Sequence, residues 1–499
     1  MTKTRSSWLW LVSAGLVSNT AIAQQASIPD FIPATLPATA RPPVKPDPVI
    51  QKIVAGISQD HVVATLKKLE AFGTRNTLSD PTKPDTGVGA ARQWIFDEFK
   101  SCSPRLQVSF DTHTIPRGGR ITKETELRNV VAVLPGKTEE GKNRWIMITG
   151  HYDTVNLRTQ VGAGNGPAQQ TEAPAPGVCD DGSGTACTLE CARVLSQYDF
   201  DATIVFVAFA GEEQGLVGAK AMAARLKANQ QEIEAVLNND IIGTDTRGNG
   251  EKDDKRVLVF SEDPDDSPSR QIARYFRSIG KTYCPDFAAD MVFRYDRFAR
   301  GGDHTAFNQE GYTAIRITTP AENFANQHTA TDTLANMSPE YATKVMRLNA
   351  ATAASLALAP KPPVTMATPA ARPAATQGRA AASTASGPAT APGTGTGGRG
   401  AAANRVGLSR GTGYDAVMRW EYPNPPADLA GFAVVLRSTL SPEWQKEVWA
   451  GDVRTFTLKD CPIDQLVIGI KAIDKDGHES PASAYINPPR STAGDLTAQ

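Results

Sequence analysis

TIVFVAFAGEEQG, residues 203–215, is the stretch on which the fold class turns. Residues 203–210 form a nearly unbroken run of apolar and β-branched side chains. Such a run reads as a strand buried on both faces, as in a sheet covered by helices. The run stops at Gly211 and delivers two adjacent carboxylates, Glu212 and Glu213, at the strand's carboxyl end. Similar runs appear at 129–134, 145–149, 236–242, 256–260 and 313–317. Stretches with helical spacing lie between several of them, at 185–198, 216–229 and 267–279. Two more precede the strands, at 60–72 and 89–100, and one closes the region at 337–358. Strands alternating with helices indicate an α/β domain over residues 49–358.

Outward from this domain the composition changes. Residues 359–403 are dominated by Ala, Pro, Thr, Gly and Ser, with no large apolar residue after Met366. Such a segment cannot bury a core and is expected to be a flexible linker. Residues 404–490 carry short strand-like pieces at 416–420, 431–437, 455–458 and 466–472. Turn residues separate them, which predicts a small β-sandwich, with 491–499 as a tail. Residues 24–48 read as an extended arm. Residues 1–23 combine Lys3 and Arg5, a short apolar stretch and Ala21-Ile22-Ala23, the pattern of a cleaved secretory signal. The mature protein is therefore expected to be periplasmic or secreted. The six cysteines show no CxxC pair and are expected to be buried thiols.

The chain has 499 residues, and its 52 Lys and Arg against 53 Asp and Glu leave a net charge of −1. That balance argues against nucleic acid as the main partner, because phosphate binding needs a basic surplus. No apolar run is long enough for a transmembrane helix.

Five histidine or acidic signals follow one another along the α/β domain. They are Gly150-His151-Tyr152-Asp153, PGVCDDGSG at 176–184, Ala210-Gly211-Glu212-Glu213-Gln214-Gly215, Asn239-Asp240-Ile241-Ile242-Gly243 and QHTATDT at 327–333. Three of the five end strands, where open α/β sheets bind ligands. Two imidazoles and three carboxylates suit a pair of zinc ions when one carboxylate, Asp180, bridges. Glu212 beside Glu213 lets one carboxylate bind metal while the other serves as a general base. Asp153 is expected to accept the second ring N–H of His151, and Asp332 to act similarly near His328.

This set resembles the co-catalytic di-zinc aminopeptidases of the bacterial leucyl-aminopeptidase type, over roughly residues 50–358. The resemblance implies a zinc exopeptidase-like fold, with a mixed central sheet flanked by helices. It implies two Zn²⁺ per chain, one held by His151, Asp180 and Asp240 and the other by Asp180, Glu213 and His328. A metal-bound hydroxide then attacks the carbonyl with Glu212 as base, and the substrate is a peptide with a free N-terminus. Arg300-Gly301-Gly302-Asp303-His304 resembles a stretch of exported bacterial members. Trp420, Gly431-Phe432 and residues 471–480 resemble a fibronectin type III domain, whose partner is unknown. Two positions depart from the family pattern: Cys179 stands where a smaller or amide side chain is usual, and Gln327 where some members have tyrosine. Tyr295, Arg297 and Arg300 become the candidates for stabilising the oxyanion.

Taken singly the motifs are bland. Asp180-Asp181-Gly182 is a common surface turn, and a Glu pair is a common helix start. His61, His113 and His478 are read as incidental, His304 as shaping a loop, and Asp474-x-Asp476-Gly477 as a hairpin turn. Joint order and type set the five motifs apart. Three other readings remain: a glutaminyl cyclase or a carboxypeptidase on the same scaffold, and a non-catalytic binding protein.

Overall fold

The computed structural model describes residues 46–158, 171–365 and 406–486. The expected secretory signal, nearly all of the arm, most of the linker and the tail lie outside these residues. So do residues 159–170 of an insert (158–175) expected to border the cleft.

Eight strands form one sheet: β1 (Gln107–Ile115), β2 (Thr125–Leu134), β3 (Arg144–His151), β4 (Thr203–Phe209), β5 (Glu232–Asn239), β6 (Arg256–Ser261), β7 (Ala288–Val292) and β8 (Ala314–Thr318). Their order is β1-β2-β4-β3-β5-β8-β6-β7. Strands β4, β3, β5 and β8 run parallel to one another, whereas β2 against β4 and β6 against β8 are antiparallel. The sheet is therefore mixed, and the carboxyl ends of its four central strands lie along one edge. The helices are α1 (Pro48–Gly56), α2 (Gln59–Ala71), α3 (Gly87–Cys102), α4 (Glu139–Asn143), α5 (Gly182–Leu195), α6 (Val217–Ala228), α7 (Pro268–Tyr283), α8 (His304–Gln309) and α9 (Pro339–Leu358).

β4 explains the layering. Ile204, Phe206 and Ala208 join the core under α1, α2, α3, α5, α7 and α9. Val205, Val207 and Phe209 join a second core under α6 and α8. Successive strand side chains point to opposite faces, so a strand covered on both faces is apolar at every position. β1 and α1 escaped the sequence pattern. β1 lies at the sheet edge and is half exposed, so polar residues interrupt its apolar ones. α1 is short and starts from Asp47, whose side chain caps it, with Pro48 in its first turn.

The C-terminal strands are β9 (Gly407–Arg410), β10 (Ala416–Arg419), β11 (Leu429–Ser438), β12 (Lys446–Gly451), β13 (Thr455–Leu458), β14 (Leu466–Asp474) and β15 (Ser483–Ala484). They form two antiparallel sheets, β13-β10-β9 and β12-β11-β14-β15. Met418, Trp420 and Leu458 from one side meet Phe432, Val434, Ile468 and Ile470 from the other in a single core, giving a small sandwich.

The expected linker does not hang free from residue 359. Val364 exchanges two 2.9 Å backbone hydrogen bonds with Glu421, and the Thr365 hydroxyl donates to Ala484 O at 3.0 Å. The sandwich also seats on α7. Arg437, 1% exposed, pairs with Asp265 and Asp266 at 2.9 and 2.6 Å. Arg274 donates to Pro442 O, Tyr275 Oη donates to Glu479 O, and Glu443 pairs with Arg277 and Lys281. Composition cannot reveal this docking, because it depends on partners more than 150 residues apart.

His478, read from sequence as incidental, belongs to the same contact. Its ring lies 2.8 Å from Asp474 and 2.9 Å from Asp47, at the start of α1. Burial would lower its pKa, but the two carboxylates outweigh burial and push it up to about 9. The charged ring is thus worth more in the folded state. Its contribution is complete below the ordinary value of 6.5 and is lost as pH rises through about 9. Thermal melting followed across that window should show a falling Tm, with the fall reduced in His478→Gln. An unchanged slope in the variant would reject the bridge as a stabiliser.

Candidate metal centre

Three of the four parallel strand ends deliver the candidate residues. β3 ends in His151, β4 runs on to Glu212 and Glu213, and β5 runs on to Asp240. The turn before α5 supplies Asp180, and the loop after β8 supplies His328. Close backbone packing holds the first two together. A Cβ on Gly150 would stand 2.4 Å from the carbonyl carbon of Gly184, and one on Gly184 would stand 2.3 Å from Asn239 O. Only glycines let β3, α5 and β5 meet at that point. Asp181 caps α5 through Gly184 N and also accepts the N–H groups of His151 and Ile241. One buried carboxylate therefore ties the ends of β3 and β5 to the start of the helix. Ile241 pays for its position with φ 61, a left-handed conformation unusual for a β-branched residue.

The predicted residues converge. His151 Nε2 lies 3.4 Å from Asp180 Oδ1 and 4.0 Å from Asp240 Oδ1. His328 Nε2 lies 3.0 Å from Asp180 Oδ2 and 3.1 Å from Glu213 Oε1. The two oxygens of Asp180 thus face the two imidazoles. Two compact triads result, His151–Glu212–Asp240 and Asp180–Glu213–His328, each with ligand atoms within 4.8 Å of one another. Glu212 joins His151 and Asp240 in the first, which Asp180 also borders through the oxygen 3.4 Å from His151.

One second-layer expectation is extended and one is corrected. The Asp153 carboxylate lies 3.6 Å from His151 Nδ1, which also faces the Asp153 carbonyl oxygen at 3.1 Å. The same carboxylate accepts the backbone N–H of Glu212 at 3.0 Å and of Glu213 at 3.2 Å. A strand-end turn directs the side chain toward β4, and Asp153 there fixes the Glu-Glu pair. Asp332 does not receive the His328 ring. Its oxygens accept the N–H groups of Cys179 and Asp180, because Val178 N bonds to Asp332 O and lays the two segments side by side. Burial, only partly offset by those two N–H groups, pushes the Asp332 carboxyl up to about 7.

The oxyanion candidates Tyr295, Arg297 and Arg300 are half-buried. Arg297 and Arg300 engage Glu322, and Arg297 also engages Asp296. The Tyr295 ring packs against His304, whose Nε2 contacts Tyr295 O. Gln327 donates directly to Asp180 Oδ2 at 2.7 Å.

Two arginines were missed. Arg316, fully buried in β8, pairs with Asp240 Oδ2 at 2.5 Å. A lone Arg in the apolar strand Ala314–Thr318 is a signal that could have been read. Arg75 is fully buried and donates to the carbonyls of Leu69, Tyr152, Pro176 and Gly177, which shapes the turn before Asp180. Nothing in its sequence neighbourhood announces that role. Asp303, inside a quoted motif but given no role, is buried with both oxygens unpartnered.

The electrostatics fit cations. Burial would lower His328, yet Asp180 and Glu213 push it up to about 11. Burial, with the charges of Asp240 and Glu213, pushes Glu212 well above the ordinary range against the pull of His151. His151 Nε2 and Glu213 Oε1 are buried and satisfied by no hydrogen bond. Orphaned donor atoms in an imidazole–carboxylate cluster are what zinc takes up.

Comparison with known proteins agrees with this chemistry. The model of peptidase family M28 matches residues 129–353, which contain every candidate residue. A probable zinc metalloprotease of Pyricularia oryzae is 32% identical over 474 residues, covering 88% of this chain and 84% of that protein. A probable zinc metalloprotease of Leptosphaeria maculans is 31% identical over 468 residues, covering 88% and 96%. Among solved structures, the Legionella pneumophila LapA aminopeptidase is similar with 21% identity and a TM-score of 0.49, covering 64% of this chain and 78% of that one.

Proposed function

The chain belongs to peptidase family M28, among zinc metalloproteases, and on that premise we propose that it is an exported di-zinc aminopeptidase. One observation carries the reading: the two oxygens of Asp180 face two imidazoles, while Glu212 stands beside Glu213. His151, Asp180 and Asp240 would hold one zinc, and Asp180, Glu213 and His328 the other. Bound zinc supplies Lewis-acid polarisation of the carbonyl and of water. Cobalt or manganese suits the same donors.

Glu212 is the general base. It takes the proton of the attacking water and passes it to the leaving amine. Burial, with the neighbouring acids, raises its proton affinity, which suits a group that must bind and release a proton. Asp153 acts through backbone, holding Glu212 and Glu213 so that one points to metal and the other to water. Asp332 holds the Asp180 turn in the same manner. Arg316 fixes one oxygen of Asp240 and leaves the other for metal. Residues 1–23 support export, and the C-terminal sandwich is proposed to be of fibronectin type III kind.

The test is incubation of the mature protein with free and N-acetylated peptides, with and without chelator, read by mass spectrometry. Stepwise loss of N-terminal residues from free peptides only, stopped by chelator, is the expected result. Ammonia loss from N-terminal Gln would instead mean a cyclase, C-terminal trimming a carboxypeptidase, and no product at full metal loading a binding protein.

A further inference from the structure

Two arginines flank the triad of Asp180, Glu213 and His328 without a carboxylate partner among the described residues. Arg120 sits in the connection between β1 and β2. Reciprocal 2.9 Å hydrogen bonds between Gly118 and Ile121 tighten that turn, and buried Ile121 anchors it. From there Arg120 donates one N–H to the carbonyl oxygen of Glu213 at 2.7 Å. Its side chain is otherwise exposed. Arg158 borders the other side. Leu157 N donates to His328 O at 3.0 Å, and Arg158 reaches the carbonyls of Phe324 and Ala325. It too is exposed.

A guanidinium has five N–H donors. Arg120 spends one and Arg158 two on carbonyls, so both keep charge and donors for something else. Arg297 and Arg300 differ, since both are already paired with Glu322. Arg120 and Arg158 therefore place two guanidinium groups, without carboxylate partners among the described residues, beside Glu213 and His328.

We infer that Arg120 and Arg158 bind the free α-carboxylate of short peptides, making di- and tripeptides the preferred substrates. This rests on the aminopeptidase reading. A peptide held by its amine at the metals carries its negative terminus a residue or two beyond the scissile bond, and Arg–carboxylate pairing is the strong, oriented contact available there. Longer chains place that charge out of reach.

The test compares tripeptides of varied first residue, each as the free acid and as the C-terminal amide, on the metal-loaded full chain. The wild type should favour the acids by about 10- to 100-fold in kcat/KM, the range of one charge-assisted hydrogen bond. In the double variant Arg120→Gln/Arg158→Gln the acid-to-amide ratio should fall towards one. Glutamine removes the charge, and a purely structural role would slow both forms together and leave the ratio intact. An unchanged ratio in the variant, or equal wild-type rates on acid and amide, would overturn the inference. Release of no N-terminal residue from either form by the wild type would overturn the aminopeptidase reading as well, so the two failures are distinct.

Discussion

Glu212→Gln should lower kcat by about 10²–10⁴-fold, the usual weight of a positioned general base, and leave metal content unchanged. Glutamine preserves shape and the N–H held by Asp153 but cannot accept a proton. The structure makes the metal measurement decisive, since Glu212 stands within the triad of His151 and Asp240. Metal analysis beside steady-state kinetics separates the roles. Two ions retained with activity lost means a base; loss of one ion means that Glu212 is a ligand. An active variant would remove it from both roles. Because the change acts on proton transfer, KM should move little.

Arg316→Met is expected to cost the metal-free protein about 3–5 kcal/mol, the penalty for breaking a buried ion pair from one side. The guanidinium is wholly buried, 2.5 Å from Asp240 and 3.9 Å from Asp296. Methionine fills much of the volume and leaves the buried Asp240 carboxylate without its guanidinium partner, while Asp296 keeps Arg297. Denaturant unfolding of the apoprotein would read the loss. Metal affinity should also fall, by about 10–100-fold, because Asp240 loses the contact that orients it. A change below about 1 kcal/mol would mean that Arg316 is packing alone.

Much of this was legible because it is written in local pattern. β4 shows along its length that both its faces are covered, and His151, Glu213 and Asp240 stand at or just beyond strand ends. Asp180, in a turn before a helix, and His328, in a loop, took their places in the two ligand sets from the family resemblance. What stayed hidden depends on direction and distance. Asp153 lies beside the His151 ring, but its second task, accepting the backbone N–H groups of Glu212 and Glu213, has no mark in sequence. Asp332 was assigned to the nearest histidine by proximity, yet it serves the Asp180 turn. His478 has one partner, Asp474, four residues away, but the contact that ties it to the first helix is with Asp47, 431 residues away. Arg75 serves carbonyl oxygens, which every residue has and no pattern records.

The seating of the sandwich on α7 has a consequence for the integrity of the chain. Arg437 on Asp265 and Asp266, Glu443 on Arg277 and Lys281, and Val364 on Glu421 join the two parts without using the peptide that runs from 366 to 405. A single cut in that peptide would leave a complex of two fragments rather than two separate products, migrating as one species until salt or denaturant dissolves its ion pairs. The same contacts would let the halves, made as separate polypeptides, find each other again.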